Sequence, residues 1–94
     1  MTDENVELHA IFRGRVQGIG FRWTVADHAE RFHLTGSVKN LLDGTVEAHM
    51  QGEKEVLERF LASVRAESGF ARINSVSAQY QEITHPATSL EILI

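Results

Sequence analysis

The fold is decided by residues 6–32, which read VELHAIFRGRVQGIGFRWTVADHAERF. The first part of this stretch alternates apolar and polar residues, as a strand with one buried face does. Its apolar positions are Val6, Leu8, Ala10 and Phe12. After a cluster of glycines, the apolar residues recur every three or four positions, as on one side of a helix. These residues are Phe21, Val25, Ala29 and Phe32. The stretch therefore predicts a strand, a glycine-rich loop and a helix in direct succession.

A hairpin and a second helix are predicted next along the chain. Alternation over residues 35–40 and 45–50 predicts two strands, and Asp43-Gly44 between them is a dipeptide typical of hairpin turns. Apolar residues at helical spacing predict an amphipathic helix at about residues 53–67. Gly69 suits the left-handed conformation that commonly ends a helix.

The end of the chain predicts a fourth strand and a short closing strand. The fourth strand covers residues 73–82, and the closing strand carries Leu90, Ile92 and Ile94. The element order is therefore β-α-β-β-α-β plus a terminal strand. This order predicts a ferredoxin-like α+β sandwich, in which two helices cover one face of an antiparallel sheet. A chain of 94 residues suits one domain spanning residues 1–94.

The composition excludes several classes of protein. A net charge of −4 argues against a protein that coats nucleic acid, because binding the phosphate backbone requires an excess of Lys and Arg. The chain has no cysteine, which excludes disulfides and zinc-thiolate sites. Residues 1–5 are acidic and polar, unlike a signal peptide. No apolar run approaches the roughly 20 residues of a membrane span, so we expect a soluble, cytoplasmic protein. The sequence does not determine the oligomeric state, for which a monomer is the default expectation.

The glycine cluster predicts an anion-binding loop. Gly14, Gly18 and Gly20 can adopt positive φ and let a ligand approach the backbone closely. Consecutive amides in such a turn can form a concave nest, and the helix starting at Phe21 adds its free N–H groups and positive dipole end. Arg22 lies in the first turn, where its planar guanidinium can bind two phosphate oxygens at once. The spacing G-x-x-x-G-x-G differs from those of the P-loop and of the dinucleotide fingerprint.

Asn40, at the end of the second strand, is the second candidate site residue. Its amide can donate one hydrogen bond and accept another, so it can hold a neutral water molecule. The sequence contains no metal-ligand motif, since its five histidines form no H-x-x-x-H pair. We therefore expect neither a metal nor a cofactor.

Two segments of this sequence resemble the signatures of the acylphosphatase family. Residues 14–22, GRVQGIGFR, are similar to the family's first signature, G-R-V-Q-G-V-x-F-R. Residues 36–47, GSVKNLLDGTVE, resemble the second, G-x-V-x-N-x-x-D-G-x-V-E. The resemblance covers nearly the whole chain and implies the same sandwich fold. Ser37 departs from the aromatic residue that usually follows the glycine, and the C-terminus lacks the usual aromatic-basic ending.

The resemblance implies hydrolysis of an acyl phosphate to a carboxylate and inorganic phosphate. Arg22 would bind the phosphate group and Asn40 would orient the attacking water. The phosphate-binding loop would comprise Arg15, Val16, Gln17, Gly18, Ile19 and Gly20. Phosphate, as a product, would compete with the substrate, and neither nucleic acid nor a membrane would be a partner. No His, Asp or Glu lies between Arg13 and Arg22 to act as a base, so catalysis would rest on positioning and charge stabilisation.

Two other functions fit parts of the pattern. A non-catalytic anion-binding module would keep the loop without useful turnover. An RNA-recognition domain shares the β-α-β-β-α-β order, but it requires exposed aromatic residues and a basic surface on its central strands. His9, Arg13, Glu47 and His49 do not supply them. The sequence does not identify the natural acyl group.

Overall fold

The computed structural model describes residues 4–94. It contains five strands and two helices in the predicted order. The elements are β1 (Asn5–Arg15), α1 (Phe21–Arg31), β2 (Thr35–Asn40), β3 (Val46–Glu53), α2 (Lys54–Ala66), β4 (Arg72–Gln81) and β5 (Leu90–Leu93). The boundaries follow the predicted ones to within a few residues, and the closing strand stops one residue before Ile94. Neither helix combines the length and the apolar character needed to cross a membrane.

The strands form one sheet in the order β4-β1-β3-β2-β5. β1 lies between β3 and β4 and is antiparallel to both, while β2 pairs antiparallel with β3. β5 adds to the free edge of β2 in parallel. The predicted antiparallel sheet and short C-terminal strand are therefore both confirmed, and the structure adds that the C-terminal strand runs parallel to β2. The alternation of residues 90–94 indicates a strand but carries no information about its direction.

The core lies between the sheet and the helices. Leu8, Ala10 and Phe12 of β1 are completely buried, and so are the alternating residues of β3, Val46, Ala48 and Met50. Phe21 and Val25 of α1 and Phe60 of α2 pack on this layer. The same alternation directs the intervening side chains of β1 and β3 to the opposite side of the sheet. Neither α1 nor α2 covers that side, and we call it the open face.

Gly14 has a structural role that differs from the one expected for it. It belongs to β1 rather than to the loop, at a shift in the register between β1 and β4. Its φ is +133°, and a Cβ there would lie 2.2 Å from the backbone oxygen of Arg72. Gly14 is thus required by the close approach of β4, and the loop that follows begins at Val16.

Candidate active site

The loop between β1 and α1 is held in place by two apolar side chains and one amide. Val16 is buried and Ile19 packs against the core. Gln17 lies between them, and its Nε2 donates to two backbone oxygens, that of Leu41 at 2.7 Å and that of Thr45 at 2.8 Å. These two residues belong to the turn that follows β2. Gln17 therefore ties the loop to the turn that begins directly after Asn40.

The loop backbone presents unpaired N–H groups to an open space. Gly18 and Gly20 both have φ of +77°, and a Cβ on either would meet no atom within 4 Å. Within residues 4–94, the N–H groups of residues 17–20 donate no hydrogen bond. The first N–H groups of α1 have no partner inside the helix, and its first turn contains no acidic side chain to offset the dipole. The loop can therefore accept an anion on several amides at once.

Arg22 is half-buried in the first turn of α1. Its Nη1 donates to the backbone oxygen of Leu93 in β5. Leu93 is the register partner of Lys39, the residue before Asn40. The contact therefore brings the guanidinium to the end of β2, where Asn40 lies. Arginine has five N–H donors in one plane, so this single bond leaves donors available for a phosphate group.

Asn40 is the last residue of β2 and shares the helix side of the sheet with Val38. Its Oδ1 is buried and accepts no hydrogen bond from any residue of 4–94. A buried acceptor without a donor costs about 1–3 kcal/mol, and native structures keep few of them outside sites that bind water or ligands. A water molecule supplies the O–H donor that this oxygen lacks. The position therefore fits a residue that orients water.

The turn after Asn40 is stabilised by Asp43. Asp43 Oδ1 accepts hydrogen bonds from the hydroxyl of Thr45 at 2.6 Å and from its backbone N–H at 3.0 Å. The Thr45 hydroxyl, and then its backbone N–H, lower the pKa of the Asp43 carboxyl below its ordinary value. Gly44 completes the turn with φ of +92°. These contacts confirm Asp43-Gly44 as the turn that follows Asn40, and they fix the oxygens that Gln17 binds.

Arg15 stands apart from the other predicted loop residues. It is the last residue of β1, pairs with Arg72 in β4 and is exposed. Among residues 4–94 its side chain forms no hydrogen bond or ion pair with the protein. The structure thus brings residues 16–20, Arg22 and Asn40 to one end of the sheet, with Arg15 at the margin. Neither the side-chain link from Gln17 nor the contact with Leu93 has a signal in the sequence.

A separate cavity of about 570 Å³ lies at the other end of β1. Its lining residues are Glu4, Glu53, Lys54, Glu55 and Glu58. Four carboxylates outnumber the single ammonium group of Lys54, so the net negative charge of this lining repels a phosphate group. Volume alone therefore does not identify the anion site, whereas the unpaired amides and Arg22 do.

The comparison with known families agrees with this geometry. The family model described as Acylphosphatase matches residues 8–92. The chain belongs to the acylphosphatase family. An acylphosphatase of Geobacillus kaustophilus is 37% identical over 86 residues, which are 92% of each chain. An acylphosphatase of Methanospirillum hungatei is 42% identical over 74 residues, which are 78% of this chain and 81% of the relative.

A solved structure of the family has the same fold. The crystal structure of acylphosphatase from Bacillus subtilis matches with a TM-score of 0.89 and 31% identity. The match covers 95% of this chain and 99% of that one. The sandwich fold expected from the element order is therefore confirmed for nearly the whole chain.

Proposed function

We propose that this protein is an acylphosphatase that hydrolyses the carboxyl–phosphate bond of small acyl phosphates without a metal. The observation that carries the proposal is the meeting of the unpaired loop amides, Arg22 and the unpartnered oxygen of Asn40 at one end of the sheet. Membership of the acylphosphatase family supports the same reaction. The products are a carboxylate and inorganic phosphate.

The loop and Arg22 bind the phosphate group of the substrate. The amides of residues 16–20 surround its oxygens, and the guanidinium of Arg22 contacts two of them. Hydrogen bonds to charged groups contribute about 1.5–3 kcal/mol each. Several such bonds together hold the doubly negative phosphate group. These bonds strengthen as negative charge redistributes over the phosphate oxygens during phosphoryl transfer. Inorganic phosphate occupies the same cradle and competes with the substrate.

Asn40 positions the attacking water. One O–H of the water donates to Asn40 Oδ1, so a lone pair of the water oxygen can point at phosphorus. The oxygen forms the new bond to phosphorus as the bond to the acyl oxygen breaks, and the carboxylate leaves with that electron pair. The remaining proton of the attacking oxygen passes to a phosphate oxygen. A loose transition state of this kind requires little help from a protein base.

The open face disfavours the alternative of RNA binding. The central strands β1 and β3 present carboxylates there, Glu7 and Glu47, beside two imidazoles. An RNA-recognition surface has aromatic residues on these strands and a surplus of cations. A non-catalytic anion-binding module is distinguished from the enzyme by turnover alone.

The deciding experiment is hydrolysis of benzoyl phosphate by the wild type, Arg22→Ala and Asn40→Ala. We expect turnover by the wild type that survives EDTA, near-complete loss with Arg22→Ala, and a lower kcat with Asn40→Ala. Arg31→Ala is the matched control, because Arg31 lies on the same helix and, among residues 4–94, forms its ion pair with the exposed Asp27. A wild type that binds phosphate without turnover would make the protein an anion-binding module. Size-exclusion chromatography tests the prediction that the protein is a monomer. The cytoplasmic location remains a prediction from the sequence.

A further inference from the structure

Two histidines and a glutamate come together on the open face of the sheet. His9 in β1 and His49 in β3 are register partners, so their side chains stand beside each other. Glu47 lies two residues before His49 on the same face. The cluster is separated from Asn40 by the sheet itself, since Asn40 lies on the helix side. It therefore forms no part of the candidate active site.

The distances within this cluster approach those of a metal site. Glu47 Oε2 is 2.7 Å from His9 Nε2 and 3.6 Å from His49 Nε2. One ligand atom from each of the three residues lies within 4.8 Å of the others. Bonds of 2.0–2.1 Å to zinc in a tetrahedron place neighbouring ligand atoms roughly 3.3–3.5 Å apart. Changes of about an ångström therefore convert the cluster into three ligands around one ion.

The imidazole rings must turn to bind the same ion. They stack with their centroids 4.5 Å apart and an angle of 9° between their planes. A metal–nitrogen bond lies in the plane of its ring, so both rings have to tilt toward a shared point. The side chains of His9 and His49 are 29% and 37% exposed, so part of each ring faces solvent. Binding of one ion therefore requires side-chain rotation at both histidines.

Glu7 places a carboxylate beside the second ring nitrogen of His49, an arrangement that is common for metal-binding histidines. Its Oε2 is 3.4 Å from Nδ1 of His49, on the side of the ring away from Glu47. Gln51 and Gln81 each donate to the Glu7 carboxylate at 2.8 Å and hold it in place. A carboxylate that accepts the second N–H of a ligating histidine fixes the tautomer and orientation of its ring. His49 is thus prepared to offer Nε2 as a lone-pair donor.

We propose that His9, Glu47 and His49 form a binding site for a divalent transition metal, with Zn²⁺ as the ion to test. Two imidazoles and a carboxylate are a donor set that suits zinc, copper and nickel. The charges of Glu47 and Glu7 balance those of the ion. Three protein ligands leave a fourth position for water. The site goes beyond the proposed hydrolysis, which requires no metal.

The test is isothermal titration calorimetry of the tag-free protein with zinc chloride, in a buffer free of phosphate and chelators. We expect one equivalent of Zn²⁺ to bind, and His9→Asn, His49→Asn and Glu47→Gln each to abolish or greatly weaken this binding. Glu7→Gln should weaken it by roughly 10–100-fold, the usual effect of losing a partner that orients a ligand. His33→Asn is the matched control, because His33 is an exposed histidine with φ of +57°, which asparagine tolerates.

A second measurement guards against variants that fail to fold. In the wild type, Zn²⁺ should shift the imidazole ¹⁵N resonances of His9 and His49 and leave those of His33 and His85 in place. The proposal is overturned if the wild type binds no Zn²⁺, or if zinc shifts the resonances of other histidines instead. It is also overturned if folded His9→Asn and His49→Asn variants keep the wild-type affinity. Benzoyl phosphate hydrolysis in EDTA tests the proposed function separately, so either proposal can fail alone.

Discussion

Replacing Gln17 by Met should separate the phosphate loop from the turn that follows Asn40 while keeping the side chain's length. Two hydrogen bonds are lost, those to the oxygens of Leu41 and Thr45. Neither oxygen is left without a partner, because Gly44 N–H donates to the first and Leu41 N–H to the second. The cost is therefore the net value of two hydrogen bonds, about 1–3 kcal/mol of unfolding free energy in all, without a further penalty for stranded acceptors.

The effect on catalysis should exceed what the loss of stability explains. A shift of about 1 Å between the bound phosphate and the oriented water can lower the rate by roughly 10²-fold. We expect Gln17→Met to reduce kcat/KM for benzoyl phosphate by about 10–100-fold at a temperature where the variant is fully folded. Urea unfolding measures the stability, and Gln79→Met on the exposed side of β4 is the control. Wild-type kcat/KM in a destabilised Gln17→Met variant would refute the idea that this side chain aligns the two halves of the site.

Other substitutions probe the remaining contacts. Asn40→Ala should lower kcat by roughly 10²–10³-fold and leave the Kd for inorganic phosphate within about twofold; an equal loss of phosphate affinity would contradict its role with water. Arg22→Lys should recover little of the activity lost in Arg22→Ala, because an ammonium group cannot make the paired contacts of a guanidinium; near-wild-type kcat/KM would count against the paired contact. Gly14→Ala should lower the free energy of unfolding by about 1–3 kcal/mol through backbone strain, and the clash of the new Cβ with β4 should add to this loss. The Tm should therefore fall, and an unchanged Tm would contradict the close packing of β4 on Gly14. The Asp43 carboxyl has a lowered pKa, so its contribution to stability is present above the ordinary aspartate pKa and is lost as pH falls through the folded value. Replacing Thr45 by Val should raise that pKa toward its ordinary value in an NMR titration, and an unchanged pKa would exclude the hydroxyl as its main cause.

Patterns local in sequence were enough to predict much of this protein. Alternation and helical spacing gave the order of elements, because each element buries one face and its periodicity records that face. The glycine cluster and Arg22 predicted an anion loop, since backbone freedom and a planar cation have few other uses together at the start of a helix. Asn40 could be proposed because Asp43-Gly44 marks the turn directly after it.

Contacts between strands that are far apart in the sequence could not be predicted from such patterns. His9 and His49 are 40 residues apart, and only the register of β1 with β3 makes them neighbours. The direction of β5 depends on which edge of the sheet is free, which no local pattern records. The sequence predicts a role for the backbone of Gln17 in the loop but not for its side chain, because the oxygens that the side chain binds lie 24 and 28 residues further on.

The central position of β1 has a consequence for how the protein folds. Both strands that pair with β1 follow much later in the chain, since β3 begins more than thirty residues and β4 more than fifty residues after β1 ends. The long loops that separate β1 from β3 and β4 must close before the pairing of β1 contributes any stability, so we expect slow folding for a chain of this size. The phosphate-binding loop directly follows β1, so we expect it to reach its final conformation only after β3 and β4 have paired with β1. A ligand of the finished site should therefore retard unfolding while leaving the rate of folding unchanged.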